Sequence, residues 1–440
     1  MGLSKSKENR NEATAVAALV NFTEHEWQLV ALYFKLLDIK GSHQVNNGVF
    51  QDIWREILTP ALSDCWIRYV FYEGQDVFDK ARFTYLYKGQ TSLLCEYKTK
   101  AVYRVITNTA PKGAVKLISY ERLAEYIFNI TVSYLRSLWH FKNPEFVNWL
   151  KKEATASTRT LKTVNKVLLG TLQETVDNMG MVEIGAVEEF LRSSRVVSEM
   201  IDGVLGISYG TVDITSQPSL LPRVHPRMTT VMDVGEVLFL SSHLMRTWTQ
   251  HWKLRFHNKG HGSNFTMLCE MISDVGPTIV VVKDTSGHVF GCCATDSWKP
   301  ASYFYGDCRC FLFQLKPHLK YYPATVFNTN FQYHNQNQHM LPNGFGMGGR
   351  IGAWGFWLDG DFGKGFSAGY CSTFKDYARL SGKEEFTYDH IEVWSIDESD
   401  DLNMDQDEPG SIRKKSKSII ENQQLKNALL TMAGREPHSS

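Results

Sequence analysis

LPNGFGMGGRIGAWGFWLDGDFGKGFSAGYCSTF occupies residues 341–374. Glycine is far denser here than elsewhere in the chain, and aromatic residues fall between the glycines. Gly348 and Gly349 adjoin, and Gly352, Gly355, Gly360, Gly363, Gly365 and Gly369 follow. In a strand setting such glycines mark turns, bulges or a close approach of another group. Ala353-Trp354-Gly355-Phe356-Trp357-Leu358 reads as a buried strand, and Asp359-Gly360 as a turn. Gly369 to Phe374 reads as another short strand. The stretch therefore predicts two or more strands in the middle of a β core.

The chain around it has 440 residues, enough for two or three domains. A hydrophobic fraction of 43% and a charged fraction of 21% place it among globular proteins. Lys plus Arg and Asp plus Glu are both 47, so the formal charge is zero and no nucleic-acid footprint is expected. No apolar run approaches the ~20 residues that span a bilayer. The polar, charged first residues predict no secretory signal. On that reading the eight cysteines are reduced thiols in the cytosol.

Residues 1–12 form a basic arm. Met1-Gly2-Leu3-Ser4-Lys5-Ser6 fits the M-G-x-x-x-[ST] pattern, so Gly2 is the expected myristoylation site. One such chain binds a bilayer with only on the order of 10⁴ M⁻¹. Lys5, Lys7 and Arg10 supply a second attraction, toward an anionic membrane surface.

Residues 13–215 read as mainly helical. Thr23 and Glu26 form a capping box ahead of an apolar stripe, Trp27, Val30, Phe34 and Leu37. A second stripe, Val49, Phe50, Ile53, Trp54 and Ile57, ends before Pro60. Helix, polar loop, helix resembles an EF-hand, with Val45, Val115 and Ile184 at the apolar eighth positions of three loops. The oxygen ligands are poor. Lys40 and His43, Ala110 and Lys112, and Met179 and Met181 stand where donors or a glycine belong, so no metal site is expected. Degenerate EF-hand-like pairs and an unrelated helical bundle both fit. Prolines from Pro218 to Pro226 mark residues 216–230 as a linker.

From about Thr229 the period changes to that of strands. Trp252–Phe256, Thr278–Asp284, Val289–Gly291, Phe304–Gly306, Cys310–Phe313 and Ile391–Trp394 read as β. These pieces include H-G-S-x-F from His261, P-T-I-V-V-V-K-D from Pro277, and L-P-N-G-F-G-M-G-G from Leu341. E-V-W from Glu392 closes the series. In this order they resemble the TLDc domain family over residues 231–397. That resemblance implies a β-sandwich with flanking helices and no established catalytic centre. It also implies cytosolic proteins that bind the vacuolar proton-pumping ATPase and influence resistance to oxidative stress. The whole chain, from myristoylation motif to C-terminal helix, is similar to a lysosomal, mTOR-associated branch of the family. The implied role is a non-enzymatic adaptor on the cytoplasmic face of the lysosomal membrane, which regulates the V-ATPase and supports mTOR signalling. No cofactor is implied, and the contact with the mTOR complex is direct or indirect.

Other chemistries were weighed on the residues. Gly365-Phe366-Ser367-Ala368-Gly369 fits the serine-hydrolase elbow, but that motif needs a helix after the serine and the following residues read as β. Gly344–Gly349 faintly resembles a phosphate-cradling loop without its βαβ setting. Cys292-Cys293 and Cys308-Arg309-Cys310 lack zinc spacing and read as buried or strand-edge thiols. A serine hydrolase using Ser367 and a thiol-based oxidative-stress protein are the alternatives. After Trp394 residues 398–411 form an acidic linker, and 412–434 read as an amphipathic C-terminal helix. Arg413, Lys414 and Lys415 open it, and Ile419, Ile420, Leu425, Leu429 and Met432 give it apolar faces. Such a helix buries its apolar side either by folding back on the protein or in a partner groove, on the pump or Ca²⁺-calmodulin. The expected class is α+β: a helical EF-hand-like domain, then a TLDc β-sandwich with flanking helices and a C-terminal helix.

Overall fold

The computed structural model describes residues 44–71, 77–79, 95–108, 116–140, 156–208, 220–225 and 231–396. They fall into two compact units divided between Leu220 and Leu221.

The first unit is helical. Strand β1 (Gln44–Asn46) leads into α1 (Asn47–Ile57) and α2 (Pro60–Val70). Thr59 caps α2 by accepting the Leu62 N–H, and Pro60 takes the first helical position, where no N–H is needed. Arg136 closes the other side of this corner by donating to the Leu58 carbonyl at 2.8 Å. Strand β2 (Val77–Asp79) pairs with β1, with Val45 opposite Phe78. Then come α3 (Cys95–Thr107), β3 (Leu117–Ser119), α4 (Tyr120–His140) and α5 (Ala156–Leu168). Strand β4 (Met181–Glu183), α6 (Ile184–Ser193) and α7 (Arg195–Ser208) complete the unit. Trp54 and Trp66 meet edge to face at 5.6 Å in the core, and Trp54 Nε1 donates to the Ser208 carbonyl at 3.0 Å.

Strands β3 and β4 pair through Ile118 and Val182, both buried. The apolar centre of this pair is thus Ile118 and Val182, not Ile184, and Val115 lies outside the described residues. Gly180, at φ 74°, makes the bend two residues before Val182. The Asp177 carboxylate accepts the N–H groups of Met179 and Met181 at 2.8 Å each, so it is engaged by its own turn.

The second unit holds β5 (Arg223–His225), α8 (Val234–His243), β6 (His251–His257), α9 (Phe265–Ile272), β7 (Thr278–Asp284) and β8 (Val289–Ala294). Strands β9 (Phe311–Lys316), β10 (Lys320–Pro323), β11 (Gln332–Asn335) and β12 (Gly344–Arg350) follow. Last are β13 (Ala353–Asp359), β14 (Lys364–Phe366) and β15 (Glu385–Ser395). The path β10-β9-β8-β7-β15-β14-β13-β12-β11 is continuous, and β6 pairs with β15 and β5. Long β15 serves both halves. Its first residues pair with β14 and its later ones with β6 and β7. Val280, Val282, Leu312, Phe345, Met347, Phe356, Leu358 and Ile391 from the two halves share one core, as in a β-sandwich.

The glycine-aromatic stretch is the centre of the second half. In β12, Phe345 and Met347 enter the core, while Gly344 and Gly346 alternate on the other face. That face is filled by neighbours, and a β-carbon at Gly344 would lie 2.8 Å from Trp357 Cε2. Gly348, at φ 75°, leaves the alternation, and a β-carbon there would lie 2.6 Å from the core ring of Phe374. Trp354 and Trp357 stack at 4.4 Å beside Tyr333. The glycines thus make room for aromatic rings lying across the strand.

Two segments depart from the sequence reading. Gly369–Phe374 is not a strand and joins the sheet only by an isolated Ala324–Phe374 bridge. Phe304–Gly306 likewise contributes one bridge, Tyr305 to Gln332. Asn264 is a helix cap whose side chain accepts the Met267 N–H at the start of α9.

Candidate functional site

Ser367 follows β14 and is fully buried. Its Oγ accepts the Leu380 N–H at 3.0 Å and lies 2.8 Å from the Tyr377 hydroxyl. That hydroxyl in turn lies 2.7 Å from the Gly355 carbonyl oxygen. Burial holds the phenol of Tyr377 well above its usual range. No helix follows Ser367, because Ala368 and Gly369 lead into turns. His390 directs Nε2 to Glu392 Oε1 at 2.8 Å and is thus engaged within β15. The arrangement ties a loop to the sheet and presents no hydroxyl to solvent.

Three buried carboxylates organise the rest of the β unit. Glu392 accepts the Trp394 indole N–H at 3.1 Å and the Val231 N–H at 2.9 Å, besides facing His390. Asp284 turns the β7–β8 hairpin. Its Oδ1 accepts the N–H groups of Ser286 and His288, and its Oδ2 meets His288 Nδ1 at 3.0 Å and Ser381 Oγ at 2.6 Å. Glu236 completes a capping box with Asp233 at the start of α8 and meets Lys316 Nζ at 3.3 Å. Serine, aspartate and histidine do meet at Asp284, but the aspartate lies between the other two. No serine–base contact results.

Burial pushes the Cys269 thiol up to about 12 and the Cys310 thiol up to about 11. It also raises Cys292 and Cys293 well above the ordinary thiol value. Such thiols remain protonated and are weak nucleophiles. Cys308 is the exposed one, and all eight are free. Gly344–Gly349 lies inside β12, its glycines closed over by Trp357, Phe374 and the backbone of β13, which is not the setting of a phosphate loop. Among the described residues no group of three or more His, Cys, Asp and Glu is placed to hold a metal. Among them, too, no helix is long and apolar enough to cross a membrane.

The expected lipidation site Gly2, its basic neighbours Lys5, Lys7 and Arg10, and the helix residues Arg413, Lys414, Lys415, Ile419, Ile420, Leu425, Leu429 and Met432 lie outside the described residues. One surface feature escaped the sequence reading. Between β10 and β11, Val326 is 100% exposed and Phe327 82% exposed. Adjacent apolar residues in a segment rich in Asn and Thr, TVFNTN, were the available signal.

With this geometry in place, comparison with known proteins is direct. Residues 227–397 match the TLDc domain. The chain is similar to the chicken protein named MTOR-associated protein MEAK7, with 38% identity over 232 residues, 52% of this chain and 47% of that one. Human Nuclear receptor coactivator 7 is 31% identical over 150 residues, 33% of this chain and 15% of that one. Rat Oxidation resistance protein 1 is 33% identical over 160 residues, 36% of this chain and 18% of that one. The chain spans about half the length of the MEAK7 relatives it matches. The TLDc segment takes in the β unit from α8 to the end of β15 and leaves out β5.

Proposed function

We propose that this chain is a non-enzymatic adaptor that binds and regulates the V-ATPase at the cytoplasmic face of the lysosomal membrane and supports mTOR signalling. The observation that carries the reading is the TLDc match, joined to similarity with relatives whose name records association with mTOR. The site geometry supports the non-enzymatic part. Ser367 is buried and hydrogen-bonded to Leu380 and Tyr377, and burial suppresses the thiolate of Cys269, Cys292, Cys293 and Cys310. The pump contact itself rests on the family resemblance. In mechanism, the TLDc surface and the C-terminal segment would hold different parts of the pump and bias its state. Myristate on Gly2 with Lys5, Lys7 and Arg10 would supply the two membrane signals that stable anchoring needs.

Affinity purification of the full chain from lysosomal membranes in mild detergent, read by mass spectrometry, tests this. Pump subunits and mTOR components are the expected co-purifying proteins. A preparation that contains neither overturns the reading. Gly2→Ala should move the chain to the soluble fraction while leaving pump binding in solution intact.

A further inference from the structure

The segment from Ala324 to Asn330, between β10 and β11, carries two apolar side chains with no cover. Val326 is 100% exposed and Phe327 82% exposed, so both stand clear of the fold. Tyr370, 77% exposed, and Ile351, 45% exposed, belong to the segments on which this loop is fastened. The fastening is dense. Thr325 donates its N–H to the Thr373 carbonyl at 2.8 Å and its hydroxyl to the Ser372 carbonyl at 2.7 Å. Asn328 donates to Ser372 Oγ at 3.1 Å and accepts from Thr373 Oγ1 at 2.8 Å. Asn330 donates to the Gly349 carbonyl at 2.7 Å, and Gly349 N–H returns to Thr373 Oγ1 at 2.9 Å. Polar side chains thus hold a tip whose apex is apolar.

A loop with exposed hydrophobic residues ordinarily relieves that exposure by folding them inward. This one is built to prevent it, since the hydrogen bonds fix the backbone on both sides of Phe327. Fixing a loop before association lowers the ordering cost of binding. Contiguous exposed apolar surface marks an interaction site. The composition distinguishes the partner. The exposed charges on these segments are Arg350 and Lys375, with Asp376 beside the latter. One net positive charge gives little hold on an anionic leaflet, where each Lys or Arg contributes only ~1 kcal/mol. The same Arg and Lys, on the hydrogen-bonded segments that carry Phe327 and Tyr370, suit a protein pocket, where rigid aromatic anchors dominate and rim charges fix the orientation.

We infer that the Val326–Phe327 tip is the anchor by which the TLDc domain docks into an apolar pocket with an acidic rim on its protein partner. The inference rests on the V-ATPase reading above and names the side of the domain that makes that contact. Phe327 fills the pocket, Val326 and Tyr370 close around it, and Arg350 and Lys375 meet the acidic rim. The Ser372–Thr373 segment holds the tip in the bound geometry before the partner arrives.

The test titrates the full chain against the purified soluble sector of the V-ATPase. Val326→Ser with Phe327→Ser should weaken binding at least tenfold. Met340→Ser, a 93% exposed methionine on the loop before the far end of β12, should leave it unchanged. Arg350→Glu with Lys375→Glu should weaken it several-fold and reduce its salt dependence. If the wild-type chain binds the sector and the tip variant binds equally, the inference is overturned while the pump reading stands. If the wild-type chain does not bind at all, both fall. Sedimentation of the unacylated chain with phosphatidylserine vesicles, lost in the tip variant, would make the partner a lipid surface and also overturn it.

Discussion

Glu236 Oε1 lies 3.3 Å from Lys316 Nζ, yet the carboxyl is buried while the lysine side chain remains 45% exposed. Burial pushes the Glu236 carboxyl up to about 7, with nearby Asp233 adding to the shift and Lys316 opposing it. A half-solvated ammonium does not repay the lost hydration of a carboxylate at the start of α8, which is apolar on nearly every side.

The sign of the pH dependence follows. Between the ordinary value of 4.5 and about 7, folded Glu236 keeps a proton that the unfolded chain has released. Its contribution therefore falls as pH rises through that window and is level above it. Glu236→Gln keeps an acceptor for the Asp233 N–H and removes the titration. Relative to wild type, the variant should gain roughly 3 kcal/mol between pH 4.5 and 7. Urea-dependent hydrogen exchange of β9 amides at pH 5, 6 and 8 measures this, and parallel pH slopes for the two proteins would refute it.

The alternating glycines of β12 give a second test. A β-carbon at Gly346 would come 2.9 Å from Trp357 Cα and closer still to the Phe356 carbonyl oxygen. Backbone atoms of β13 cannot move aside as a side-chain tip can. Gly346→Ala should destabilise the β unit by about 1–3 kcal/mol, the usual cost of overpacking. Thermal unfolding checks it, and an unchanged midpoint would contradict the close approach.

Much of this architecture was legible because two periods dominate it. Thr278–Asp284 and the hairpin at Ser286-Gly287 carry β-branched runs and turn residues that admit one reading. Trp54 and Ile57 in α1 follow from helical spacing. Helix α8 was not read, because VGEVLFLS is apolar all round and shows no amphipathic period, as expected of a fully buried helix. Gly369–Phe374 reads as a strand in sequence because Cys371 and Phe374 pack inward, but they do so from a loop that Thr325 and Asn328 tie down. The Asp284, Glu236 and Glu392 clusters join residues far apart in sequence, such as Ser381 with Asp284. Spacing carries no signal for such pairs.

Ser367 separates a structural from a catalytic role. Ser367→Ala leaves the Leu380 N–H without its acceptor and takes a neighbour from the Tyr377 hydroxyl. Loss of such a buried partner costs about 1–3 kcal/mol. The variant should unfold at lower urea, and neither it nor the wild type should react with a fluorophosphonate serine probe. Labelling of the wild type that disappears in the variant would restore the hydrolase reading.

The segment from Ile412 to Met432 combines a basic start with apolar residues. Arg413, Lys414, Lys415 and Lys417 precede Ile419, Ile420, Leu425, Leu429 and Met432. A basic start ahead of apolar residues at helical spacing is the pattern of a helix that lies in a partner groove, calmodulin included. The hypothesis is that this segment, helical by its spacing, is a second pump contact beside the TLDc domain. Two linked contacts raise overall affinity by effective concentration, so losing one weakens binding without abolishing it. Deleting residues 411–440 should lower affinity for the soluble pump sector on the order of a hundredfold and leave residual binding that the TLDc domain carries. One apolar face cannot serve two partners together, so Ca²⁺-loaded calmodulin should compete with the pump for the full chain and not for the truncated one. A peptide covering Arg413–Met432 that ignores calmodulin in micromolar Ca²⁺ removes the competition. Equal pump affinity for the full and truncated chains removes the second contact itself.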